Sequence, residues 1–284
     1  IPETHLIELQ RMVNLSLEQG MLAVVNPFDA WTVDPGFEPE EDLARLSAVW
    51  EQIAAYFAEY DTGDVVFEIL NDPQENDNTA EIMRTALAAI RNVPGNERRI
   101  VLVSGGGQKT HHSLIDAFNS DAIPPNDMHL IATFDYFEPQ AFTEQTSGTV
   151  LWGSTAGFDS VSADFAAVRA ANIAWAERNN TEPIPVYLGE FGVSNAAPPP
   201  DRKRWLSWVR MQAEAHGFAW AHNSMYGEES TEKGMGPWGH QQIADPNSRF
   251  FRADAVEALT TFYEAENGRS GGGAELTASL PGFT

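Results

Sequence analysis

Cysteine is absent from this chain, and lysine is nearly so, with three in 284 residues (Lys109, Lys203 and Lys233). Without cysteine there are no disulfide bonds and no thiol chemistry, but the compartment stays open because secreted proteins need not contain cystines. No apolar run reaches the roughly 18 residues that a membrane-spanning helix requires. The chain also has no internal repeat of fixed period.

Basic residues are scarce overall, with 17 Lys and Arg against 41 Asp and Glu and a formal net charge of −24. A negative field of this size repels phosphate backbones and anionic lipid surfaces. We therefore expect neither nucleic acid nor a membrane as a partner. A neutral substrate or a cation suits the charge better, and an acidic surface with few lysines is compatible with a salty, extracellular medium.

Apolar runs with the features of buried strands alternate with segments of helical periodicity. The expected strands are Met21–Asn26, Val65–Leu70, Ile100–Ser104, Leu130–Phe137, Val186–Phe191 and Phe218–His222. The expected helices are Leu6–Leu17 closed by Gly20, Glu40–Tyr60, Thr79–Asn92 with Thr79 as N-cap, Ser162–Asn179, Asp201–His216 and Arg252–Glu266. Six such alternations predict a parallel sheet with helices outside it. We expect one barrel-like domain over residues 1–266, followed by a Gly/Ser-rich linker and tail over residues 267–284.

Two of the expected strands end in a carboxylate followed by a residue that breaks the strand. Asp72 precedes Pro73, and Glu190 lies two residues before Gly192. Parallel α/β folds place their chemistry at the carboxyl ends of strands. A pair of carboxylates there is the minimal equipment for cleaving a glycosidic bond. Asn-Asp-Pro is also ordinary turn chemistry, so Asp72 is the weaker candidate of the two.

Three segments of the chain are distinctive: Phe67-Glu68-Ile69-Leu70-Asn71-Asp72-Pro73, Tyr136-Phe137-Glu138-Pro139-Gln140-Ala141-Phe142-Thr143 and Gly189-Glu190-Phe191-Gly192. In these segments the chain resembles glycoside hydrolase family 5, the retaining endo-β-glucanases and their relatives, and the resemblance extends over nearly the whole chain up to about Leu259. The resemblance implies a (β/α)8 barrel of the TIM type. It also implies Glu190 as the nucleophile and the residue at position 72 as the general acid/base.

In that family, the strand Met21–Asn26 looks like the third of eight, so the first two strands are expected to be absent from the printed chain. At roughly 30 residues for each strand-helix unit, about 60 residues are then missing. A barrel lacking two strands has two unpaired edges, which favour association with another chain. We expect residues upstream of Ile1, another segment or a second subunit to cover this gap.

The departures from the family pattern fall on the positions that carry its chemistry. The acid Glu is Asp72 here, a His after the third strand is Phe28, and a Trp at the end of the eighth strand is Asn223. The His-x-Tyr after the sixth strand is replaced by Asp135-Tyr136-Phe137, and a substrate-side arginine on the absent strands is lost. Asn71 and Glu190 keep the family residues.

These departures leave three hypotheses about function. The first is a hydrolase of β-linked glucan with Glu190 as nucleophile and Asp72 as a weakened acid/base, since a misplacement of about 1 Å can cost about 10²-fold in rate. The second is an inactive descendant that binds glycan or serves in assembly. The third is a Ca²⁺ or Mg²⁺ site built from Asp72, Asp135 and Glu190, because clustered carboxylates need a shared proton or a cation.

Several further residues are expected to line a substrate site at the same end of the barrel. Trp31, Trp152 and Trp238 lie on loops where indole faces stack on sugars or are buried, with both roles equally favoured. The complete expected binding set is Asn71, Phe28, Trp31, Asp135, Tyr136, Phe137, Trp152, His222, Asn223 and Trp238. The run Gly105-Gly106-Gly107 lacks the later Gly-Lys-Ser/Thr of a phosphate loop, and we expect a loose loop there.

Overall fold

Six parallel strands form one continuous sheet in the computed structural model, which describes residues 1–27, 38–71, 73, 78–120, 122–223, 234–236, 238–240 and 249–260. The strands are β1 (Ala23–Val25), β2 (Val65–Glu68), β3 (Val101–Val103), β4 (Leu130–Tyr136), β5 (Val186–Phe191) and β6 (Ala219–Trp220). Their order in the sheet follows the chain, from β1 to β6, and every neighbouring pair is parallel. The sheet curls into a partial (β/α)8 barrel, which confirms the predicted fold class.

Helices connect successive strands along the outer face of the curled sheet. They are α1 (Glu3–Glu18), α2 (Pro39–Tyr56), α3 (Thr79–Asn92), α4 (His111–Asn119), α5 (Gln140–Thr143), α6 (Thr155–Asn179), α7 (Pro199–Ala215) and α8 (Ala253–Thr260). A short antiparallel hairpin, β7 (Trp238–His240) with β8 (Arg249–Phe251), precedes α8. Sequence periodicity predicted neither α4 nor α5 nor the hairpin, because each is short.

The principal apolar core lies between the outer face of the sheet and the helices. Phe67 of β2 packs against Trp50 of α2, with ring centroids 5.3 Å apart. Phe134 of β4 packs against Phe165 of α6 at 5.6 Å. These aromatic side chains are fully buried, and since side chains alternate along a strand, the residues between them face the barrel interior.

Two helix ends show how local sequence sets the element boundaries. Gly20 follows α1 with φ +73°, and the N–H groups of Gly20 and Met21 donate to the carbonyls of Leu17 and Ser16, as in a Schellman motif. This confirms that Gly20 closes the first helix. The start of α3 differs from expectation, because Asn78 occupies the N-cap position and Thr79 is the first helical residue.

The loop after β3 differs from the expected loose loop. A Cβ built on Gly105 would lie 2.1 Å from the backbone oxygen of Ser113 in α4, so the chain approaches that helix too closely for any side chain. The 3₁₀ turn Gly107–Lys109 follows, and the Thr110 hydroxyl then caps α4 by accepting from Ser113 N at 3.3 Å. The triple glycine is therefore a packed connection with a fixed exit direction.

The sheet has β1 and β6 as its two edges within the described part of the chain. Apolar side chains near the β1 edge are exposed, with Leu22 at 57% and Val24 at 39%. Among the described residues, no helix combines the length and the apolar character that crossing a membrane requires. The predicted boundary between residues 266 and 267 lies outside the described residues.

Candidate active site

A polar cavity of about 300 Å³ opens on the inner face of the sheet. Strand alternation directs into it the side chains that do not join the outer core. The cavity is lined by Val24, Asn26, Glu68, Asn71, Lys109, Tyr187, Gly189 and Glu190. Apart from Val24 and Gly189, all of these residues are polar or charged. The cavity is therefore suited to a hydroxyl-rich or charged ligand rather than an apolar one.

Hydrogen bonds join the cavity residues of successive elements into a network. Asn26 Nδ2 donates to Glu68 Oε2 at 2.9 Å and to Asn71 Oδ1 at 3.4 Å. Lys109 Nζ donates to the other Glu68 oxygen, Oε1, at 2.8 Å, and lies 3.3 Å from Asp135 Oδ2. Buried charges are tolerated when they are paired in this way, and here the pairing ties together the carboxyl ends of β1 and β2, the loop after β3, and β4.

Glu190 sits beside Asp135 across the pair of strands β4 and β5. The register matches Phe134 with Leu188 and then Asp135 with Glu190, so Gly189 is an extra residue in a bulge. A Cβ on Gly189 would lie 2.9 Å from Asp135 Oδ1 and 3.0 Å from Thr133 Oγ1. Glycine at this position therefore gives Asp135 its space, and the bulge turns Glu190 toward the cavity.

Lys109 reaches the cavity from an unusual backbone conformation. Gln108 and Lys109 have φ values of 57° and 54°, a region that residues other than glycine seldom adopt. The Gln108 N–H donates to the Pro73 carbonyl at 2.7 Å, which anchors the turn to the loop after β2. Thr110 forms a parallel bridge with Asp135, which anchors it to β4. These contacts direct the Lys109 side chain inward, where it is 1% exposed.

The electrostatics of the cavity follow from one ammonium among several carboxylates. Burial alone would lower the pKa of Lys109, but the charges of Asp135, Glu68 and Glu190 and the hydrogen bond to Glu68 outweigh it and raise that pKa. Burial, followed by the charge of Glu68, raises the pKa of the Tyr187 phenol to about 12. Lys109 therefore stays a cation and Tyr187 a neutral hydroxyl near pH 7.

The structure brings together some of the residues expected from sequence to form the site. Asn71 and Glu190 line the cavity, and Asp135 contacts Lys109 inside it. Phe137 lies with Asp135 along an adjoining cavity of about 160 Å³. Phe28, Trp31 and Asp72 lie outside the described residues, and for Trp238 only the backbone, in β7, is described.

Other expected site residues lie away from Glu190. The Tyr136 hydroxyl donates to Asp164 Oδ2 on α6 at 2.7 Å, on the outer side of β4. Trp152 is 7% exposed and packs edge-on against Phe158 of α6 at 4.6 Å. Both line a separate cavity of about 830 Å³ between the starts of α4, α6 and α7. That cavity is larger and shares no lining residue with the cavity of Glu190.

His222 and Asn223 follow β6 and lie beside the end of β5. The His222 ring meets the Phe191 ring edge-on at 5.5 Å, and the Asn223 N–H donates to the Phe191 carbonyl at 2.9 Å. Met235 covers the same region, since a Cβ on Gly192 would lie 3.0 Å from its sulfur. Neither His222 nor Asn223 lines the cavity of Glu190.

Lys109 supplies the counter-charge whose apparent lack motivated the metal hypothesis. The reasoning from sequence placed Asp72, Asp135 and Glu190 together without a cation. Within the described ranges, no group of three or more His, Asp or Glu side chains has an arrangement that could hold a metal ion. Asp72 lies outside those ranges, so the metal hypothesis stays a prediction that has lost its main reason.

Residues 1–226 match the family model for cellulase, glycosyl hydrolase family 5. The chain belongs to glycosyl hydrolase family 5. One relative, Endoglucanase H of Acetivibrio thermocellus, is 31% identical over 222 residues, covering 77% of this chain and 23% of that protein. Endoglucanase B of Ruminococcus albus is 26% identical over 213 residues, covering 70% of this chain and 49% of that protein.

Solved structures share the fold of this chain. An endoglucanase superposes with a TM-score of 0.75 at 25% identity, covering 92% of this chain and 79% of that one. The cellulose synthase subunit Z of Clostridioides difficile superposes with a TM-score of 0.74 at 26% identity, covering 92% and 81%. The chain spans 23% to 52% of the length of the curated relatives it matches.

Four of the six polar residues of this family 5 cavity were not predicted as site residues from the sequence, namely Asn26, Glu68, Lys109 and Tyr187. Glu68 carried a signal, because a charge inside the apolar run Val65–Leu70 needs a buried partner. Lys109 carried a weaker one as a rare lysine placed just after three glycines. What joins them is the left-handed turn at Gln108, and no sequence pattern predicts that conformation for glutamine.

Proposed function

We propose that the chain hydrolyses a β-linked glucan with retention of configuration, with Glu190 as nucleophile and Asp72 as acid/base. The observation that carries the proposal is the half-buried Glu190 at the end of β5, in a polar cavity with Asn71, Glu68 and Lys109. Membership of family 5 and relatives named endoglucanases support the same activity.

In the proposed reaction the Glu190 carboxylate attacks the anomeric carbon while Asp72 donates a proton to the leaving oxygen. A covalent glycosyl-enzyme forms as the bond to the leaving sugar breaks. Water, deprotonated by Asp72, then releases the glycosyl group and restores both carboxyl groups. Asp72 is one methylene shorter than the family's glutamate, so we expect proton donation to limit the rate. Extracellular action belongs to this proposal, because a polymeric glucan does not cross membranes.

The test compares reducing-sugar release from soluble mixed-linkage β-glucan by the wild type, Glu190→Gln and Glu182→Gln. Glu182 is exposed just before β5, at the opposite end of the strand that carries Glu190. We expect Glu190→Gln to lower turnover by at least about 10³-fold, as removal of a nucleophile does, while Glu182→Gln keeps wild-type turnover.

If neither the wild type nor Glu190→Gln releases reducing sugar, the hydrolase proposal is contradicted. The alternative is the inactive descendant, and its supporting observation is that Asp135, where the family has His, is bound by Lys109. Retention of the silent protein in a β-glucan affinity gel then supports a binding role. A large gain of turnover in Asp72→Glu contradicts that alternative, since it shows that only the shortened acid limits the reaction.

A further inference from the structure

Lys109 is a buried lysine in a chain that has few lysines. Its side chain is 1% exposed, and its ammonium contacts Glu68 at 2.8 Å and Asp135 at 3.3 Å. Lys203, by contrast, forms its ion pair with Glu257 at the surface with its side chain 32% exposed. Taking an ammonium out of water is costly unless the surroundings are built to receive it. The burial of Lys109 therefore indicates a dedicated position.

The backbone around Lys109 points to the same conclusion. Gln108 and Lys109 are consecutive non-glycine residues with positive φ, and the third such residue in the described ranges, Asn180, ends a helix. Unfavourable backbone conformations persist where surrounding contacts hold them, and they cluster at functional sites. Glu68 of β2 and Asp135 of β4 contact the Lys109 ammonium from two strands of the sheet. Two strands and one strained turn thus accommodate a single ammonium.

The charges around Glu190 determine whether Lys109 favours the ionised or the protonated form of its carboxyl group. Glu68 on β2 and Asp135 on β4 are acidic, Tyr187 on β5 is a neutral phenol, and Lys109 is the cation among the cavity-lining residues that the structure describes. Neighbouring carboxylates disfavour the ionised form of Glu190, and an ammonium favours it. A nucleophilic carboxylate has to be ionised to attack.

We propose that Lys109 is the positioning residue of Glu190: its ammonium fixes Asp135 beside the nucleophile and keeps the Glu190 carboxylate ionised. This proposal rests on the role of Glu190 proposed above. Its effect is on the charge state and the surroundings of Glu190, through the contacts of its ammonium with Glu68 and Asp135. It thereby supplies a cation beside Asp135, which stands where the family pattern has a histidine.

The test follows the Glu190 carboxyl group directly, by ¹³C NMR titration of protein with labelled glutamate side chains, using Glu190→Gln to assign the resonance. We expect Lys109→Met to raise the Glu190 titration midpoint by about one pH unit or more. Lys109→Arg keeps the charge and should keep the midpoint near that of the wild type. Lys203→Met, which removes the surface lysine, is the matched control and should change nothing.

An unchanged Glu190 midpoint in folded Lys109→Met overturns the proposal. If that variant does not fold, Lys109→Gln decides, because it removes the same charge but keeps a side chain of similar reach that can donate to Glu68, and an unchanged Glu190 midpoint there contradicts the proposal. In the active enzyme, the acid limb of the kcat/KM profile should move with the NMR midpoint. A shifted midpoint in a protein that releases no sugar sinks the hydrolase proposal and leaves the role of Lys109 standing.

Discussion

His222 combines a partly exposed ring with two buried ring nitrogens that find no hydrogen-bond partner among the described residues. Burial lowers the pKa of His222 to about 4. In the unfolded chain the imidazole titrates near 6.5. The folded protein therefore keeps the His222 ring neutral down to a lower pH than the unfolded chain does. As the pH falls from 6.5 towards 4, protonation of this ring in the unfolded chain favours unfolding.

We expect the stability of the wild type to fall relative to His222→Phe as the pH drops from 7.5 to 4.5. The shift from 6.5 to about 4 at about 1.4 kcal/mol per pKa unit gives a relative loss of about 2–3 kcal/mol in the free energy of unfolding at pH 4.5. Urea denaturation at several pH values measures this difference, in which groups common to both proteins cancel. His5→Asn, at an exposed position on α1, should follow the wild type, and parallel curves for His222→Phe would contradict the prediction.

Individual residues were predictable from sequence where their role depends on position along a strand. Glu190 and Asn71 lie at or just after the ends of strands, and in the structure both line the same cavity. Tyr136 was expected beside them as part of the segment Asp135-Tyr136-Phe137, which resembles a family motif. Alternation instead sends Tyr136 to the helices and Asp135 inward, and the family comparison alone did not distinguish those two directions.

Arg99 shows how one side chain organises several elements at the amino ends of the strands. It is fully buried, and its guanidinium donates to the carbonyls of Phe57, Tyr60, Asp61 and Val65 and to Asn96 Oδ1. It also lies over the Phe67 ring at 5.1 Å. The chain leaving α2 and entering β2 is thus fixed around a single planar group, whose fork geometry a lysine does not reproduce.

Arg99→Met should lower the free energy of unfolding by about 3–5 kcal/mol, because it leaves several buried carbonyls without donors. Urea denaturation gives the value, and Arg98→Met is the matched control, since the neighbouring Arg98 is exposed. The control should stay within about 0.5 kcal/mol of the wild type, as surface substitutions usually do. Equal losses in both variants would sink the assignment of Arg99 as the organising residue.

At the level of elements, long and periodic segments were predictable and short ones were not. The strand Val186–Phe191 and the helix Thr79–Asn92 have the predicted bounds. The nine-residue α4 starts just after the turn that carries Lys109. Because it begins with the two polar residues His111 and His112, its apolar residues are too few to show a helical period in the sequence. Its position depends on the close approach of Gly105 to Ser113, a tertiary contact that local periodicity does not contain.

At the scale of the molecule, the sheet leaves an edge with apolar surface beside it. Ile7 at 53%, Met12 at 50% and Leu15 at 48% are exposed on α1, and Met21 and Leu22 are exposed just before β1. Edge strands with apolar surroundings favour pairing with other chains. The expectation that another segment or subunit covers this edge stays a prediction.

The 284-residue chain should therefore self-associate with increasing concentration, and Met12→Glu with Leu15→Glu should reduce this association. Sedimentation velocity across a concentration series measures it. Met128→Glu is the control, because Met128 is 73% exposed in the loop before β4, outside this edge. A wild type that stays monomeric throughout the series, or a control that dissociates as much as the double variant, would contradict the prediction.

The Lys109–Asp135 contact also determines which substitutions at these two positions the site can tolerate singly. An aspartate in place of the family's histidine, without the lysine, would add a buried negative charge beside Glu190, and a buried lysine without the aspartate would lose one of its two closest carboxylates. Each single substitution is costly alone, whereas the pair is neutralised together. We therefore expect the stability effects of substitutions at the two positions to be strongly non-additive.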